Sequence, residues 1–434
     1  MKQIQSAILG FGTVGTGIYR ILTETHESIV HREHLDMQVK RIFIRDKARK
    51  PRMEIEHADS VLTDQIEEIL QDPDISIVFE AMGGVHPARE YIIRALEAGK
   101  TVVTANKEVV AKHWPDFEEA ARKTGAGFYI EATSGGGIPI IRTLLDSMQG
   151  NDIETLMGII NGTTNYILTK MTEEDASYEA VLKEAQELGF AEADPTADVE
   201  GWDVVYKLSI LASIAFHARV EYESIYREGI SRVSKEDIAV AKELGYVIKL
   251  LAIGKKVGGT HGKLELRVHP TMLPVTHPLA SVRGSFNAVF LHGSAVDDLM
   301  LYGRGAGQMP TASAMVSDGI YAAKAKTHAY MTFDNTYGAP QTLTLQPDWR
   351  SGYCMRLKVE DKPGVLADIT KVFADNDVSI HSIMQRSPEE KADNAVSLVI
   401  ITHTAKELSV QAAAQTFEKL ATVHKIESLM RVER

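Results

Sequence analysis

Apolar and polar positions change rhythm twice along the chain. Residues 3–9, QIQSAIL, read as a short buried strand. After a glycine-rich turn, TGIYRILTETHESIV places Ile18, Ile21, Leu22 and Ile29 at helical spacing. MQVKRIFI (37–44), ISIVFEAM (75–82), TVVTAN (101–106) and AGFYIEAT (126–133) read as further strands, and HPAREYIIRALEAGK (86–100) as a helix. Strands alternating with helices predict a parallel, doubly wound sheet. After SGGGIPI the alternation stops. Helical patterns at 178–188, 202–216 and 235–253 are interspersed with β-like runs at 153–161, 263–273 and 286–293, which predicts an α+β domain. Residues 301–325 read as a glycine-rich loop entering a helix, and 327–350 as a linker. The last stretch, 351–434, reads strand, helix, strand, strand, helix, strand.

Composition narrows this picture only a little. The chain has 434 residues, 44% hydrophobic and 24% charged, as expected of an ordinary globular protein of two to four domains. A net charge of −12 argues against a broad nucleic-acid-binding face. No run of about 18 apolar residues lacks charge, so no membrane span is expected. The chain opens on a strand without a basic and apolar leader, and the expectation is a cytoplasmic protein. Cys354 is the single cysteine, which excludes an intrachain disulfide framework and a cysteine-based zinc cluster. The 15 histidines show no metal-ligand spacing.

The strongest local motif is AILGFGTVGTGIYRIL, with Gly10, Gly12 and Gly15 interleaved with Phe11, Thr13 and Val14. The first glycine permits a tight turn, the second lets the backbone approach a pyrophosphate, and the third lets helix and strand pack closely. It follows a strand, opens a helix and begins an alternating run, which is the context a dinucleotide-binding loop requires. At the end of the second strand stands Arg45, with Lys47, Arg49, Lys50 and Arg52 close behind. A cationic fork there suits a ribose 2′-phosphate, so NADP is expected; Asp46 leaves NAD open. The plain alternative is a solvated basic loop. Lys107, in VVTANKEVV, follows a strand at the edge where such sheets place ligands, although a lysine at a helix start opposes the macrodipole.

Three further stretches carry chemistry. IEATSGGGIPII (130–141) is either a hinge or a cradle of backbone carbonyls for a hard monovalent cation. GIINGTTNYILTKM (158–171) ends a strand with Asn161, Gly162 and the hydroxyls of Thr163 and Thr164 at a helix start, a carboxylate cradle or, for Thr163 or Thr164, a plain N-cap. GFAEADPTADVEGWDVVYKL (189–208) gathers Glu192, Asp194, Asp198, Glu200 and Asp203 ahead of Lys207. Asp203 and Lys207 are four apart and share a helix face. The acids could hold an ammonium group while Lys207 handles a proton; a solvated loop is the alternative.

These residues resemble the homoserine dehydrogenases of the three-domain kind, over essentially the whole chain. The resemblance is carried by GFGTVG, TANKE, EATSGGGIPI, NGTTNYIL, GFAEADPTADVEGWDVVYKL, GRGAGQMPTASA and DKPGVLADI. It implies an NAD(P)-binding Rossmann domain over 1–135 and a substrate-binding, catalytic and dimerisation domain over 136–325, with 301–325 returning to the cofactor domain. A linker over 326–350 and a ferredoxin-like βαββαβ ACT domain over 351–434 complete the implied plan. The implied reaction interconverts L-homoserine and L-aspartate 4-semialdehyde, in threonine, methionine and isoleucine biosynthesis. Lys207 and Lys107 would be catalytic, Lys107 also touching the cofactor together with Gly307. Glu192, Asp203, Gly162, Thr163 and Asp198 would hold the amino acid. A sodium-like cation would rest on carbonyls of Glu131, Ser134, Gly136 and Ile138. Ser134 stands where the family commonly has valine, a change that a carbonyl ligand tolerates, and Trp202 replaces a smaller aliphatic residue. Asp361, Pro363 and Gly364 would form an effector turn for L-threonine, and the implied assembly is a homodimer or homotetramer. Two rivals remain to be separated. A dehydrogenase making an acyl phosphate needs a cysteine nucleophile, and Cys354 lies far in sequence from every cofactor motif. An amino-acid sensor on an inactive scaffold would not need Lys107, Glu192, Asp203 and Lys207 together.

Overall fold

The computed structural model describes residues 2–46, 53–55, 57–258, 262–328, 344–386 and 395–433. The chain divides into two compact units. The first comprises Met1–Gly162, Asp203–Ile225 and Ser285–Leu343; the second comprises Thr163–Trp202, Tyr226–Gly284 and Thr344–Arg434.

In the first unit a six-stranded parallel sheet runs, in spatial order, Leu62–Thr63, Leu35–Phe43, Lys2–Leu9, Ile75–Glu80, Thr101–Thr104, Phe128–Tyr129. Its central strands are apolar on both faces because helices cover both: Ala7, Ile8, Leu9, Val78, Phe79, Val102 and Val103 are all buried. The order reverses beside Lys2–Leu9, and in such sheets ligands bind beyond the carboxyl ends at that reversal. Helix Gln308–Lys324 returns to this layer, where Ala312, Met315 and Val316 join Ile18, Leu22 and Phe79 in one core. An antiparallel ladder of Ile153–Ile159, Phe286–Gly293 and Asp297–Arg304 completes the strands of this unit.

Two expectations are corrected here. The strand expected over 126–133 shrinks to Phe128–Tyr129, followed by a 3-10 turn at Glu131–Thr133. Thr133 Oγ1 donates to the Ile130 carbonyl (2.7 Å), and Glu131 turns inward to accept from Ile141 and Arg142 amides, which pulls the chain out of the sheet. Residues 301–304 end the strand Asp297–Arg304 and are not loop.

The second unit contains the acid-rich segment, a long antiparallel hairpin of Tyr246–Val257 and Lys263–Pro274, and the C-terminal domain. The helix expected over 235–253 ends at Glu243, after a capping box between Ser234 and Asp237. Gly245, at φ +79°, breaks it, and the apolar run from Ile248 to Ile253 is a strand buried on both faces, whose pattern periodicity cannot tell from a buried helix. The C-terminal domain follows the expected order: Arg350–Glu360, Val365–Asp375, Ile380–Arg386, Ala395–Thr402, Glu407–Phe417 and Val423–Val432. Its strands form an antiparallel sheet over a core of Tyr353, Leu357, Ile369, Phe373, Leu398 and Phe417.

The first glycine turn separates fold from ligand. Gly10 adopts φ +93°, and a Cβ on Gly15 would lie 2.0 Å from the Gly10 carbonyl oxygen. A Cβ on Gly12 meets nothing within 4 Å. Gly15→Ala is therefore expected to destabilise the first unit by roughly 1–3 kcal/mol, as overpacking does. Gly12→Ala should leave the melting temperature unchanged and weaken only dinucleotide binding. Thermal melts with NADPH titrations on both variants check this, and equal loss of melting temperature would contradict it.

Candidate active site

Helix Trp202–Ala215 is almost wholly apolar, and Val204, Val205, Leu208, Leu211 and Ala212 are buried around it. Within that environment Asp203 and Lys207 are only 6% and 8% exposed. Lys207 Nζ donates to Asp203 Oδ2 (2.7 Å) and to the Ile160 carbonyl (2.8 Å). Asn161 Nδ2 donates to the same Oδ2 (3.0 Å), while Lys107 Nζ pairs with Oδ1 at 3.2 Å. One carboxylate thus spans two ammonium groups, which the sequence separates by a hundred residues.

Burial opposes ionisation of Asp203. The charges of Lys207 and then Lys107, with hydrogen bonds from Lys207 and Asn161, overcome it and hold the carboxyl well below the usual carboxylate range. The sign follows directly: a depressed folded pKa stabilises the fold above about pH 4–5, and that contribution is lost as pH falls. Lys207 is enclosed, whereas the Lys107 side chain is 42% exposed. Lys107 is placed by its helix start: Asn106 caps Val109 (3.2 Å) and donates to the Gly84 carbonyl (2.6 Å). Behind it, buried Glu80 accepts from Thr104 Oγ1 (2.5 Å) and the Met82 amide (2.8 Å), tying two strand ends together. Burial pushes the Glu80 carboxyl up. Asn106 and Glu80 were not singled out from the sequence, although Glu80 is an acid ending an apolar strand; Asn161, noted at the strand end of the NGTTN motif, meets Asp203.

The expected cofactor residues divide by position. Gly10 to Gly15, including Phe11, Thr13 and Val14, form the turn into helix Thr13–Glu24, whose N-cap Gly12 makes no side-chain cap. The Gly10 amide donates to the Phe43 carbonyl (3.0 Å), so the end of the second strand lies beside the turn. Arg45 follows there, exposed; Lys47 lies outside the described residues. Gly307 starts helix Gln308–Lys324 at φ +125°, and a Cβ on Gly17 would be 2.8 Å from the Gln308 carbonyl oxygen, so both helix starts lie together. Open space over Gly12 and a helix start without a side-chain cap fit a pyrophosphate.

For the expected cation, Gly135 and Gly136 take φ of +78° and +55°, and Ile138 N bonds the Gly135 carbonyl at 2.9 Å. Gly136 is pressed against Gly305, where a Cβ would come within 2.4 Å. The Glu131 side chain is occupied by the Ile141 and Arg142 amides, and burial with the neighbouring Asp318 pushes it up to about 7. Ser134 Oγ is buried and without a partner, a lining suited to a hard cation. Among the described residues no cluster of His, Cys, Asp or Glu could hold a metal ion.

The acid-rich segment is divided between the two units. Asp203 belongs to the first unit with Gly162, whereas Glu192, Asp198 and Thr163 belong to the second. There Thr163 Oγ1 donates to the Phe190 carbonyl (2.7 Å), Asp194 caps Thr196, Asp198 is half-buried and Glu192 is exposed. Asp361, Pro363 and Gly364 form an exposed turn, with Gly364 at φ +97° as the N-cap of Val365–Asp375. Cys354 is buried, and burial pushes its thiol up to about 12, which removes it as a nucleophile. No described helix is long and apolar enough to cross a membrane.

Comparison with known proteins gives the family. Family profiles match as "Homoserine dehydrogenase, NAD binding domain" over 10–131, "Homoserine dehydrogenase" over 139–320 and "ACT domain" over 355–422. Homoserine dehydrogenase of Bacillus subtilis is 39% identical, covering 100% of this chain and 99% of the relative. That of Corynebacterium glutamicum is 42% identical over 99% and 95%. The crystal structure of a homoserine dehydrogenase from Thiobacillus denitrificans aligns with a TM-score of 0.90 at 39% identity, covering 100% and 99%. A hyperthermophilic archaeal homoserine dehydrogenase in complex with NADPH aligns over 75% of this chain and 100% of that one, at 27% identity and a TM-score of 0.63. Likeness over the whole length, joined to two lysines on one buried carboxylate at the edge of a dinucleotide-binding sheet, settles the matter: the chain belongs to the homoserine dehydrogenase family, oxidoreductases that interconvert L-homoserine and L-aspartate 4-semialdehyde with a nicotinamide cofactor.

Proposed function

We propose that Lys207 moves the proton of the reacting oxygen and that Lys107, the exposed member of the pair, lies between cofactor and amino acid. The observation that carries this is the Lys207–Asp203–Lys107 arrangement, with one ammonium enclosed and one open. When bound, the nicotinamide supplies the hydride chemistry. In semialdehyde reduction the Lys207 ammonium gives its proton to the carbonyl oxygen as hydride reaches the carbon; in the reverse direction its amine takes the hydroxyl proton. Asp203 orients Lys207, and Glu192, Asp198 and Asp203 together with the Gly162–Thr163 turn serve the amino acid's charged ends.

The finer assignments follow the same residues. Arg45 and Lys47 favour NADP, with the bound NADPH of the archaeal relative as support. Carbonyls of Glu131, Ser134, Gly136 and Ile138 hold a sodium-like ion. The turn Asp361, Pro363, Gly364 presents uncapped helix-start amides to the carboxylate of an amino-acid effector, read as L-threonine. The three family matches support the division into 1–135, 136–325, a linker over 326–350 and 351–434. The enzyme works in the cytoplasm as a homodimer or homotetramer.

Lys207→Met should lower kcat by on the order of a hundredfold or more, the range lost with a general acid–base group, and leave the NADPH dissociation constant unchanged. Steady-state turnover with homoserine and a fluorescence titration with NADPH measure the two; near-normal turnover would remove Lys207 from proton transfer.

Arg45→Asp should shift the ratio of kcat/KM for NADP over NAD by roughly tenfold to a hundredfold, each charge-assisted hydrogen bond being worth about 1.5–3 kcal/mol. An unchanged ratio would show that the basic run is solvated surface.

A further inference from the structure

We infer that Arg227, with Tyr226 and Glu228, forms a strap that positions the acid-rich substrate segment and ties it to Arg431 of the C-terminal domain, so that effector binding to that domain alters homoserine binding through Arg431. The regulatory half of this inference rests on the proposed effector role of the C-terminal domain.

One edge of strand Lys263–Pro274 pairs along its length with Tyr246–Val257. Short parallel pairings succeed one another along the strand besides that partner: Arg267 and Val268 face Tyr226 and Arg227, and Thr271 and Met272 face Arg431 and Val432. The Glu228 amide adds a bond to the Val268 carbonyl (2.8 Å). Strap and terminal strand are therefore neighbours along a common support, although two hundred residues separate them in sequence.

On one side the strap grips the acid-rich segment. Ile230 N donates to the Val199 carbonyl (2.8 Å) and Ser231 Oγ to Glu200 Oε1 (2.7 Å). Arg227 donates to the Glu200 carbonyl, and its guanidinium lies 4.1 Å from the centre of the Trp202 ring. Gly229 admits no side chain, because a Cβ would lie 2.4 Å from the Val199 carbonyl oxygen. Trp202 is the first residue of helix Trp202–Ala215, so Arg227 holds the end of the acid-rich segment where that helix begins.

On the other side the strap meets Arg431, 1% exposed. Arg431 Nη1 donates to Glu228 (2.6 Å), Nη2 to Tyr226 Oη (2.8 Å) and Nε to Glu407 Oε2 (3.2 Å), and Tyr226 also bonds Glu228. Glu407 opens helix Glu407–Phe417 and accepts from Tyr353 Oη (2.8 Å) and Gln411 (2.7 Å). One guanidinium thus serves two carboxylates, Glu407 from the C-terminal domain and Glu228 from the strap. Buried donors of this kind cannot be left unmade cheaply, so a shift of helix Glu407–Phe417 exchanges partners at Arg431 and does not stretch the bonds continuously. An effector that favours one arrangement then changes homoserine affinity, and by reciprocity homoserine changes effector affinity.

Two full-length variants test this. Arg227→Met should raise the homoserine KM on the order of tenfold with kcat changed far less, and Arg227→Lys should restore part of it; unchanged KM, or a fall in kcat alone, overturns the positioning role. Glu228→Gln keeps the shape of the strap and removes the charge facing Arg431. It should still bind L-threonine by calorimetry, yet lose at least about tenfold of the threonine-induced rise in homoserine KM, a coupling of ordinary size. Undiminished coupling in Glu228→Gln overturns the link through Arg431. If Gly364→Asp, whose carboxylate would cover the helix-start amides, and the unaltered chain both fail to bind threonine, the effector reading falls, and the strap stands or falls on the Arg227 measurements.

Discussion

A single carboxylate in an apolar helix organises the site. Asp203 is buried where a lone charge would be strongly disfavoured, and it is tolerated because Lys207, Lys107 and Asn161 converge on its two oxygens. That convergence dictates much of the rest. The strand Ile153–Ile159 must deliver Ile160 and Asn161 to one side, and the strand Thr101–Thr104 must deliver Lys107 to another. Glu80, Thr104 and Asn106 form the polar brace that fixes the second of these approaches. The same carboxylate also offsets the repulsion between the two ammonium groups, because it lies between them.

The second unit applies the same rule on a larger scale. Arg267, Arg356 and Arg431 are all buried, and each is matched by acids: Glu265 and Glu433, Asp237 and Glu427, Glu228 and Glu407. Several of these pairs join the C-terminal domain to residues from 226–284, and the last strand adds Arg431 and Val432 to the support strand. Removing both acids of one guanidinium would leave a buried charge unpaired, at a cost of about 3–5 kcal/mol. The C-terminal domain is therefore part of this unit's fold.

Much of this was legible in the sequence where local rules suffice. The glycine turn, the α/β alternation and the βαββαβ tail follow from turn chemistry and periodicity, and Asp203 and Lys207 follow from helical spacing. What failed was where tertiary contacts override local pattern. The run after Gly245 reads equally as buried helix or buried strand, and only its hairpin partner decides. Residues 130–133 look like a strand until Glu131 finds the Ile141 and Arg142 amides. Within the acid-rich stretch Asp194 caps a turn, Glu200 meets the strap and Asp203 meets the lysines, three roles that the sequence pattern does not tell apart. No spacing rule links Lys107 to Asp203, or Arg431 to Tyr226.

The claim that everything else leans on is that the negative charge of Asp203, and not merely its shape, holds the two lysines in place. Asparagine has the same shape and can still accept from Asn161 and Lys207. The direct measurement is kcat/KM for homoserine in Asp203→Asn, taken on protein that retains NADPH binding. The account predicts a loss on the order of a hundredfold or more, because the general acid–base group is no longer oriented. A value within a few-fold of the unaltered enzyme would contradict it.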